Sequence, residues 1–337
     1  MGRGIIAEEL TKVYSSQRRQ GWFRTVREEK RAVDGLSLSV PPGRVTGLLG
    51  LNGAGKTTTI KMLSTLLLPT AGRAEVDGLD LVRDANAIRR KVNMIAGGER
   101  MVYWRLTGRE NLWYFAQLYD VEPRGLKERI DSLLRSVGLA DAADKPVEQY
   151  SKGMKQRLQI VRGLINDPTY IFMDEPTLGL DVPVARELRQ TVRRLTAEEG
   201  KGVLLTSHYL AEVEELCAYI YVVNGGRLEA QGSPADLKRL TRRDRQVKVL
   251  LAELPAAVNT ALDAVAAESG ARIERQPVPE GVLVTVRHQS DLSGRVAGAV
   301  ALAGASILKL EALEPTLEEA ILALADVGKP EVISRAG

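Results

Sequence analysis

Residues 50–58 form a glycine-rich loop that constrains the fold of this chain more than any other stretch. The loop follows an apolar run at 45–49, which indicates a buried strand, and precedes a helical pattern at 59–63. Its spacing matches Gly-x-x-x-x-Gly-Lys-Ser/Thr, a template that is specific when it joins a strand to a helix. The defined positions of the template are filled by Gly50, Gly55, Lys56 and Thr57. The sequence therefore predicts a strand–loop–helix unit within an α/β fold.

Such a loop predicts a site for phosphate groups. Its backbone N–H groups converge on phosphate oxygens, the helix N-terminus adds positive charge, and the lysine ammonium reaches the β- and γ-phosphates of a nucleoside triphosphate. The Thr57 hydroxyl is the expected Mg²⁺ ligand. The residues predicted to hold the nucleotide are Gly50, Leu51, Asn52, Gly53, Ala54, Gly55, Lys56, Thr57 and Thr58.

Composition argues against several other classes of protein. The single cysteine, Cys217, excludes an intrachain disulfide framework and fits a reducing cytosol. Two histidines are too few for a histidine-rich metal site. No apolar run approaches about 18 residues, so no transmembrane helix is expected, and residues 1–9 lack the apolar core of a signal peptide. The formal net charge of +4 is mild, and no nucleic-acid partner is expected.

The length of 337 residues and the order of the elements predict two domains. Strands alternate with helices through residues 1–235, which indicates a largely parallel sheet, with a helical subdomain at about 100–165. A basic linker is predicted at 236–245. The order strand-helix-strand-strand-helix-strand at 246–327 predicts a small ferredoxin-like α+β domain, and 328–337 form a tail.

The first strand is predicted at 5–14 and a second at 32–40, with a polar stretch at 15–31 inserted between them. That stretch places basic side chains around Trp22 and Phe23. Two interpretations remain open for it. It is either a solvated hairpin extension or a basic, aromatic tab that contacts the membrane interface or a partner.

Two further motifs carry chemistry. An apolar strand ends in two carboxylates, Asp174 and Glu175. Beside a phosphate-binding loop, the first predicts an Mg²⁺ ligand and the second a general base for an attacking water. A helix begins after Ser151, an N-cap residue, and Gly153 allows a ligand to approach its backbone closely. This helix start predicts a second anion site, and the alternative is an ordinary capped helix.

In combination these motifs resemble the ATP-binding cassette (ABC) ATPases. Ser151, Lys152, Gly153 and Met154 resemble the signature of that family, whose usual form is Leu-Ser-Gly-Gly-Gln. The resemblance covers about residues 5–235 and implies ATP and Mg²⁺ as cofactors. It also implies a head-to-tail dimer, in which the signature of one copy completes the γ-phosphate site of the other.

The resemblance assigns roles to further residues. Asp181 resembles the D-loop aspartate at the dimer seam, and His208 resembles the switch histidine that contacts the γ-phosphate. Tyr14 resembles the aromatic residue that stacks on adenine. Glu175 and His208 are then the catalytic residues. The alternatives are a buried core histidine for His208 and a strand-end aromatic that merely packs for Tyr14.

One motif departs from the family pattern. Residues 92–100 correspond to the loop that normally supplies a glutamine to Mg²⁺, but Gly98 occupies the glutamine position and Glu99 lies beside it. Either Glu99 is the third metal ligand, since a carboxylate oxygen suits Mg²⁺, or the ion depends more on Thr57 and Asp174.

Met154 and the segment at 314–320 resemble the drug and antibiotic exporter branch, the daunorubicin-resistance-like proteins. This resemblance implies an ATP-hydrolysing subunit that drives export through a separate membrane permease. It also implies a cytoplasmic, peripheral location on the inner face of the cell membrane. The alternative is a non-transport ABC ATPase that acts as an assembly scaffold or a regulatory ATPase.

Six aromatic side chains are candidates for the surface that docks the permease: Tyr103, Trp104, Trp113, Tyr114, Phe115 and Tyr119. Exposed aromatic residues are favoured anchors at protein interfaces. The alternative is that these side chains form the core of the helical subdomain. Full burial of Trp104 and Trp113 would remove the main support for docking.

Overall fold

The structure is a computed structural model that describes residues 4–20, 24–97, 102–240, 245–314 and 316–321. The chain divides into two compact units, Met1–Pro234 and Ala235–Gly337. Each unit has a hydrophobic core of its own. Within the described ranges, no helix combines the length and the apolar character needed to cross a membrane.

The strands of the first unit build two sheets, ordered β2-β1-β4-β5 and β10-β9-β3-β8-β7-β6. In chain order they are β1 (Ile5–Gln20), β2 (Arg24–Val40), β3 (Val45–Leu49), β4 (Ala71–Val76), β5 (Leu79–Asp80), β6 (Val92–Ala96), β7 (Tyr170–Asp174), β8 (Gly202–Thr206), β9 (Tyr219–Asn224) and β10 (Arg227–Gly232). The helices are α1 (Lys56–Leu63), α2 (Ala85–Lys91), α3 (Gly108–Leu118), α4 (Leu126–Ser136), α5 (Lys152–Arg162), α6 (Val182–Ala197) and α7 (Leu210–Leu216), with 3₁₀ turns at Ala140–Ala142 and Val147–Gln149.

The second sheet is parallel except for its edge strand β10, which runs antiparallel to β9. Every residue of β3 and of β8 is buried. Strands that are covered on both faces need such continuous apolar sequences, which explains why these two runs do not alternate with polar residues. Parallel pairing brings the carboxyl ends of β3, β7 and β8 to one edge of the sheet, where ligands of α/β proteins bind.

The first sheet is antiparallel, and its longest feature is a hairpin of β1 and β2. The two strands pair from Ile5 opposite Val40 to Gln20 opposite Arg24. The prediction that the first strand ends at Tyr14 and the second starts at residue 32 is therefore wrong. Antiparallel pairing satisfies the backbone groups of both strands, so polar side chains do not end the ladder. Trp22 and Phe23 lie outside the described residues.

The helical subdomain consists of α3, α4 and α5 around a core that includes Leu112, Ile130 and Leu158. Helix α3 begins with a capping box, in which the backbone N–H of Glu110 donates to Thr107 Oγ1 and the backbone N–H of Thr107 donates to Glu110 Oε2. These two bonds satisfy donors that a helix start leaves without partners.

The second unit has the predicted order of elements. It contains β11 (Arg245–Leu251), α9 (Ala256–Ser269), β12 (Arg272–Val278), β13 (Gly281–His288), α10 (Ser293–Leu302) and β14 (Ile307–Leu313) in a sheet ordered β12-β13-β11-β14. Alternate residues of β11, among them Val247 and Val249, are buried in a core with side chains of α9 and α10. Helix α8 (Pro234–Leu240) occupies part of the predicted linker, and residues 241–244 and 328–337 lie outside the described ranges.

Asp77 joins both sheets of the first unit. It follows β4 with a φ of 51° and accepts hydrogen bonds from the Tyr170 hydroxyl at 2.7 Å and from the Gly4 backbone at 3.1 Å. Lys91 Nζ at the end of α2 lies 2.8 Å from the other carboxylate oxygen. Burial alone would raise the pKa of Asp77, but the hydrogen bonds from Lys91 and Tyr170 outweigh it and lower the pKa. The folded state therefore favours the charged carboxylate.

We expect Asp77→Asn to lower the free energy of unfolding by about 1–3 kcal/mol at pH 7, because an amide carries no charge opposite Lys91. Since folding lowers the pKa of the carboxyl group, its contribution is complete well above the unfolded pKa of roughly 3.9 and is lost as the pH falls further. The difference between wild type and variant should therefore shrink in acid. Urea unfolding followed by tryptophan fluorescence measures it, with the exposed Asp141→Asn as a control. Equal stability of D77N and wild type at pH 7 would contradict this account.

Candidate functional site

The glycine-rich loop connects β3 to α1 and is held close to neighbouring backbone. Gly55 has a φ of 103°, and a Cβ atom at this position would lie 2.4 Å from the carbonyl oxygen of Ala32. A Cβ atom at Gly50 would lie 2.1 Å from the carbonyl oxygen of Val223. Only glycine fits such approaches, so the loop spacing follows from the packing of the loop against β2 and β9.

Lys56 opens α1 and turns back over the loop. Its Nζ atom donates to the carbonyl oxygens of Gly50 at 2.7 Å and of Leu51 at 3.2 Å. Only 6% of the residue is exposed. Burial lowers the pKa of Lys56, and the negative charges of Glu175 and Asp174 offset part of this effect. A poorly hydrated ammonium at the base of the loop attracts a phosphate group strongly, because little water screens its charge.

Three oxygen-bearing side chains meet at the carboxyl ends of the parallel strands. Asp174, the last residue of β7, accepts a hydrogen bond from Thr57 Oγ1 at 2.9 Å on one oxygen and from Thr206 Oγ1 at 2.6 Å on the other. The three residues come from α1, β7 and β8. Hydroxyl and carboxylate oxygens are the donors that Mg²⁺ prefers, so the group fits this ion.

Glu175 and His208 lie side by side above Asp174. His208 Nε2 is 2.6 Å from Glu175 Oε1. Glu175 has a φ of 51°, a strained conformation for a residue with a side chain. Its backbone N–H donates to the carbonyl oxygen of Thr206 at 3.0 Å and to Thr206 Oγ1 at 3.1 Å, and these bonds hold the strained backbone in place. The side chain of His208 is 40% exposed, so it is not a buried core histidine.

A cleft of about 260 Å³ opens at the glycine-rich loop and Glu175. Its walls include the tip of the loop, Lys56, Thr57 and Glu175, and on the other side Tyr14 and Lys30. Tyr14 is 42% exposed, with the Lys12 ammonium 5.7 Å from the centre of its ring. The exposed ring face is available for a planar group, so the position of Tyr14 is compatible with stacking on a nucleotide base.

The signature residues stand apart from this cleft in the described structure. Ser151 is the N-cap of α5, where its hydroxyl accepts a hydrogen bond from the backbone N–H of Met154 at 3.2 Å. Ser151 and Lys152 are exposed, as is Asp181, which precedes α6. Glu99 falls outside the described residues. A single copy of the chain therefore presents the helix start at Ser151 to solvent, and this helix start does not line the cleft at its own phosphate loop.

Three residues of the site were missed by sequence reasoning. Thr206 bonds Asp174, as described above. Gln156, which is 4% exposed, donates from Nε2 to the carbonyl oxygen of Pro176 at 2.9 Å. Glu212 accepts from Ser207 and Thr177. Only Thr206 had a signal in the sequence, because it ends an apolar strand directly before Ser207 and His208.

The candidate docking aromatics are divided between surface and core. Tyr103, Trp104 and Trp113 are 48%, 49% and 54% exposed. Trp104 and Trp113 are therefore not fully buried, and the docking hypothesis keeps its main support. Phe115 and Tyr119 pack against the core of the helical subdomain. The Lys155 ammonium of α5 lies 4.7 Å from the centre of the Trp104 ring. The exposed members lie on the helical subdomain.

Known proteins share both the sequence and the fold. A family model described as "ABC transporter" matches residues 33–178. The daunorubicin resistance ATP-binding protein DrrA3 of Streptomyces coeruleorubidus is 41% identical over 300 residues, which cover 88% of this chain and 92% of the relative. The ABC transporter ATP-binding protein NatA of Bacillus subtilis (strain 168) is 35% identical over 69% of this chain and 94% of the relative. A solved dimeric, post-hydrolysis structure of the ATP-binding cassette MJ0796 with ADP and Pi covers 68% of this chain and 98% of its own, with a TM-score of 0.58 and 24% identity.

The chain therefore belongs to the ATP-binding proteins of the ABC transporter family. Within that family it is the ATP-hydrolysing subunit of an exporter, with ATP and Mg²⁺ as its cofactors. The predicted family, fold class and activity are confirmed, and the exporter is favoured over the non-transport alternative.

Thr206→Val tests the support of Asp174 and Glu175, because it keeps the size of the side chain and removes its hydroxyl. We expect kcat for ATP hydrolysis to fall roughly 10- to 100-fold, since groups that orient metal ligands have effects of this size. Phosphate release measures kcat. Thr206→Ser keeps the hydroxyl and should retain most of the activity. A wild-type rate for T206V would show that the hydroxyl does not support the site.

Proposed function

We propose that this chain powers an exporter as one of two ATPase subunits, which pair head to tail when ATP is bound. The observation that carries the proposal is the convergence of Thr57, Asp174 and Thr206 beside the Glu175–His208 pair. These groups lie at the phosphate loop, where the γ-phosphate of a bound nucleotide would be. The arrangement suits phosphoryl transfer to water, which depends on positioning and charge stabilisation.

Binding of ATP would use the loop and the cleft together. The N–H groups of the loop and the Lys56 ammonium hold the phosphates, and the Tyr14 ring stacks on the adenine. Thr57 and Asp174 would hold Mg²⁺, which neutralises charge on the phosphate oxygens. Lys56 gains a countercharge in this step, which compensates for its poor hydration in the free protein.

Hydrolysis is assigned to Glu175 and His208. Glu175 accepts a proton from a water molecule while the oxygen of that water forms a bond to the γ-phosphorus. The bond between the γ-phosphorus and the β,γ-bridging oxygen breaks. The products are ADP and phosphate. When ATP is bound, His208 Nε2 contacts a γ-phosphate oxygen instead of Glu175. This contact positions the γ-phosphate and stabilises its negative charge.

A second copy completes the site. Ser151 and Gly153 lie at an exposed helix start, where backbone N–H groups and the serine hydroxyl are available to an anion. In a head-to-tail pair this helix start meets the γ-phosphate bound by the partner, with Asp181 at the seam. The dimeric state of the cassette MJ0796 with ADP and Pi supports such a pairing.

A membrane permease would couple this cycle to transport. The exposed aromatic residues Tyr103, Trp104 and Trp113 are the proposed docking surface, and docking would place the subunit at the cytoplasmic face of the cell membrane. The name of the relative DrrA3, a daunorubicin resistance protein, supports a drug-like cargo for the exporter.

Glu175→Gln is the direct test of the hydrolytic mechanism, because an amide is a very weak base. We expect ATP binding to persist and kcat to fall roughly 10²- to 10⁴-fold, the usual contribution of a general base. The variant should accumulate as a closed dimer with ATP, which size-exclusion chromatography detects. Glu198→Gln, an exposed substitution at the end of α6, is the matched control. Wild-type turnover by E175Q would refute the assignment of the base.

Replacing Trp104 and Trp113 together by alanine tests the docking surface. Buried aromatic anchors contribute most of the binding free energy of many interfaces, at roughly 2 kcal/mol or more each. We expect the fraction of the protein that sediments with membranes of the source cells to fall, while ATP binding by the isolated subunit persists. Leu66→Ala, at a residue that is 66% exposed, is the control. An unchanged membrane fraction would contradict docking through these residues.

A further inference from the structure

A buried carboxylate lies behind the catalytic pair and takes no direct part in the proposed chemistry. Glu212 on α7 is only 4% exposed. One of its oxygens, Oε2, accepts hydrogen bonds from Ser207 Oγ at 2.7 Å and from Thr177 Oγ1 at 2.9 Å. Both hydroxyl-bearing residues are buried as well. Within the described part of the chain, Glu212 forms no ion pair.

The two hydroxyl groups belong to the segments that carry the catalytic pair. Thr177 lies two residues after Glu175, and Ser207 directly precedes His208. Ser207 Oγ also accepts a hydrogen bond from the backbone N–H of Tyr209 at 3.0 Å, which closes a turn around His208. A single carboxylate oxygen therefore joins the backbone after β7 to the backbone after β8.

Energetics argue that this residue has a role beyond packing. Burial of a carboxylate is costly unless it is hydrogen-bonded, and an apolar side chain could fill the position without that cost. Hydrogen bonds to a charged acceptor are shorter and stronger than those between neutral groups. The two hydrogen bonds thus fix the spacing between the segments that follow β7 and β8. A nondirectional apolar contact would not define this spacing.

We propose that Glu212 is a positioning residue for ATP hydrolysis, which sets the spacing of Glu175 and His208 by holding Thr177 and Ser207 on one oxygen. This inference rests on the roles proposed above for Glu175 and His208. Thr177 also begins the segment that leads to Asp181. A shift of that segment on dimer formation is therefore transmitted through Glu212 to the turn that carries His208.

The same segment is also connected to the signature helix. Gln156 on α5 donates to the carbonyl oxygen of Pro176, the residue before Thr177. A series of contacts thus connects α5, whose N-terminus would contact the partner's nucleotide, to Pro176 and Thr177. From Thr177 the contacts continue to Glu212 and to the turn that carries His208 in the same subunit. Binding of ATP at the partner's site is thereby linked to the position of His208 in the subunit's own site.

Glu212→Gln tests the proposal, because it keeps the shape of the side chain and removes its charge. We expect kcat to fall roughly 10- to 100-fold while KM for ATP stays within about twofold, the pattern of an interaction that matters only in the transition state. Thr177→Val should reproduce this loss and Thr177→Ser should avoid it. The matched control is Glu215→Gln on the same helix, which breaks surface ion pairs with Arg189 and Arg193 and should leave kcat unchanged.

A double-mutant cycle with His208→Ala separates positioning from a general structural role. If Glu212 acts through His208, E212Q causes no further loss in the H208A background. The proposal is overturned if E212Q keeps the wild-type kcat, if it lowers the H208A rate by the same factor as the wild-type rate, or if kcat, KM and the unfolding midpoint worsen together. A wild-type rate for H208A itself would instead refute the role of His208 in the proposed function.

Discussion

The Asp174 carboxylate is the interaction on which the rest of the site depends. It accepts hydrogen bonds from Thr57 at the start of α1 and from Thr206 at the end of β8. One side chain therefore fixes the phosphate loop to the centre of the parallel sheet. The sheet supplies the rigidity for this arrangement, since β3, β7 and β8 are buried almost throughout.

Two groups of the site are held in unfavourable states by this framework. Lys56 is a cation largely removed from water, and Glu175 has a left-handed backbone conformation. Such strain persists only where surrounding structure determines it, as the two hydrogen bonds from the Glu175 N–H to Thr206 do here. The free protein is thus arranged in advance for a phosphate group and a developing negative charge.

In the proposed head-to-tail dimer, the helix start at Ser151, which is exposed in a single copy, would complete the γ-phosphate shell of the partner. The buried polar contacts around Pro176, Thr177 and Glu212 lie between this helix and the residues of the subunit's own site. They connect the two half-sites of a subunit through short, directional bonds, which two packed loops could not do by apolar contact alone.

The sequence by itself determined the phosphate loop, the strand that ends in Asp174 and Glu175, and the alternation of strands and helices. These features are local, because phosphate binding needs glycines and a lysine at set offsets and each element has its own period. The ends of β1 and β2 were not predictable from the sequence, since a strand's end depends on its partner strand. Thr206, Gln156 and Glu212 each form a hydrogen bond with a residue 20 to 35 positions away. Only the tertiary structure decided those contacts, because parallel strands distant in sequence bring their ends together at one edge of a sheet.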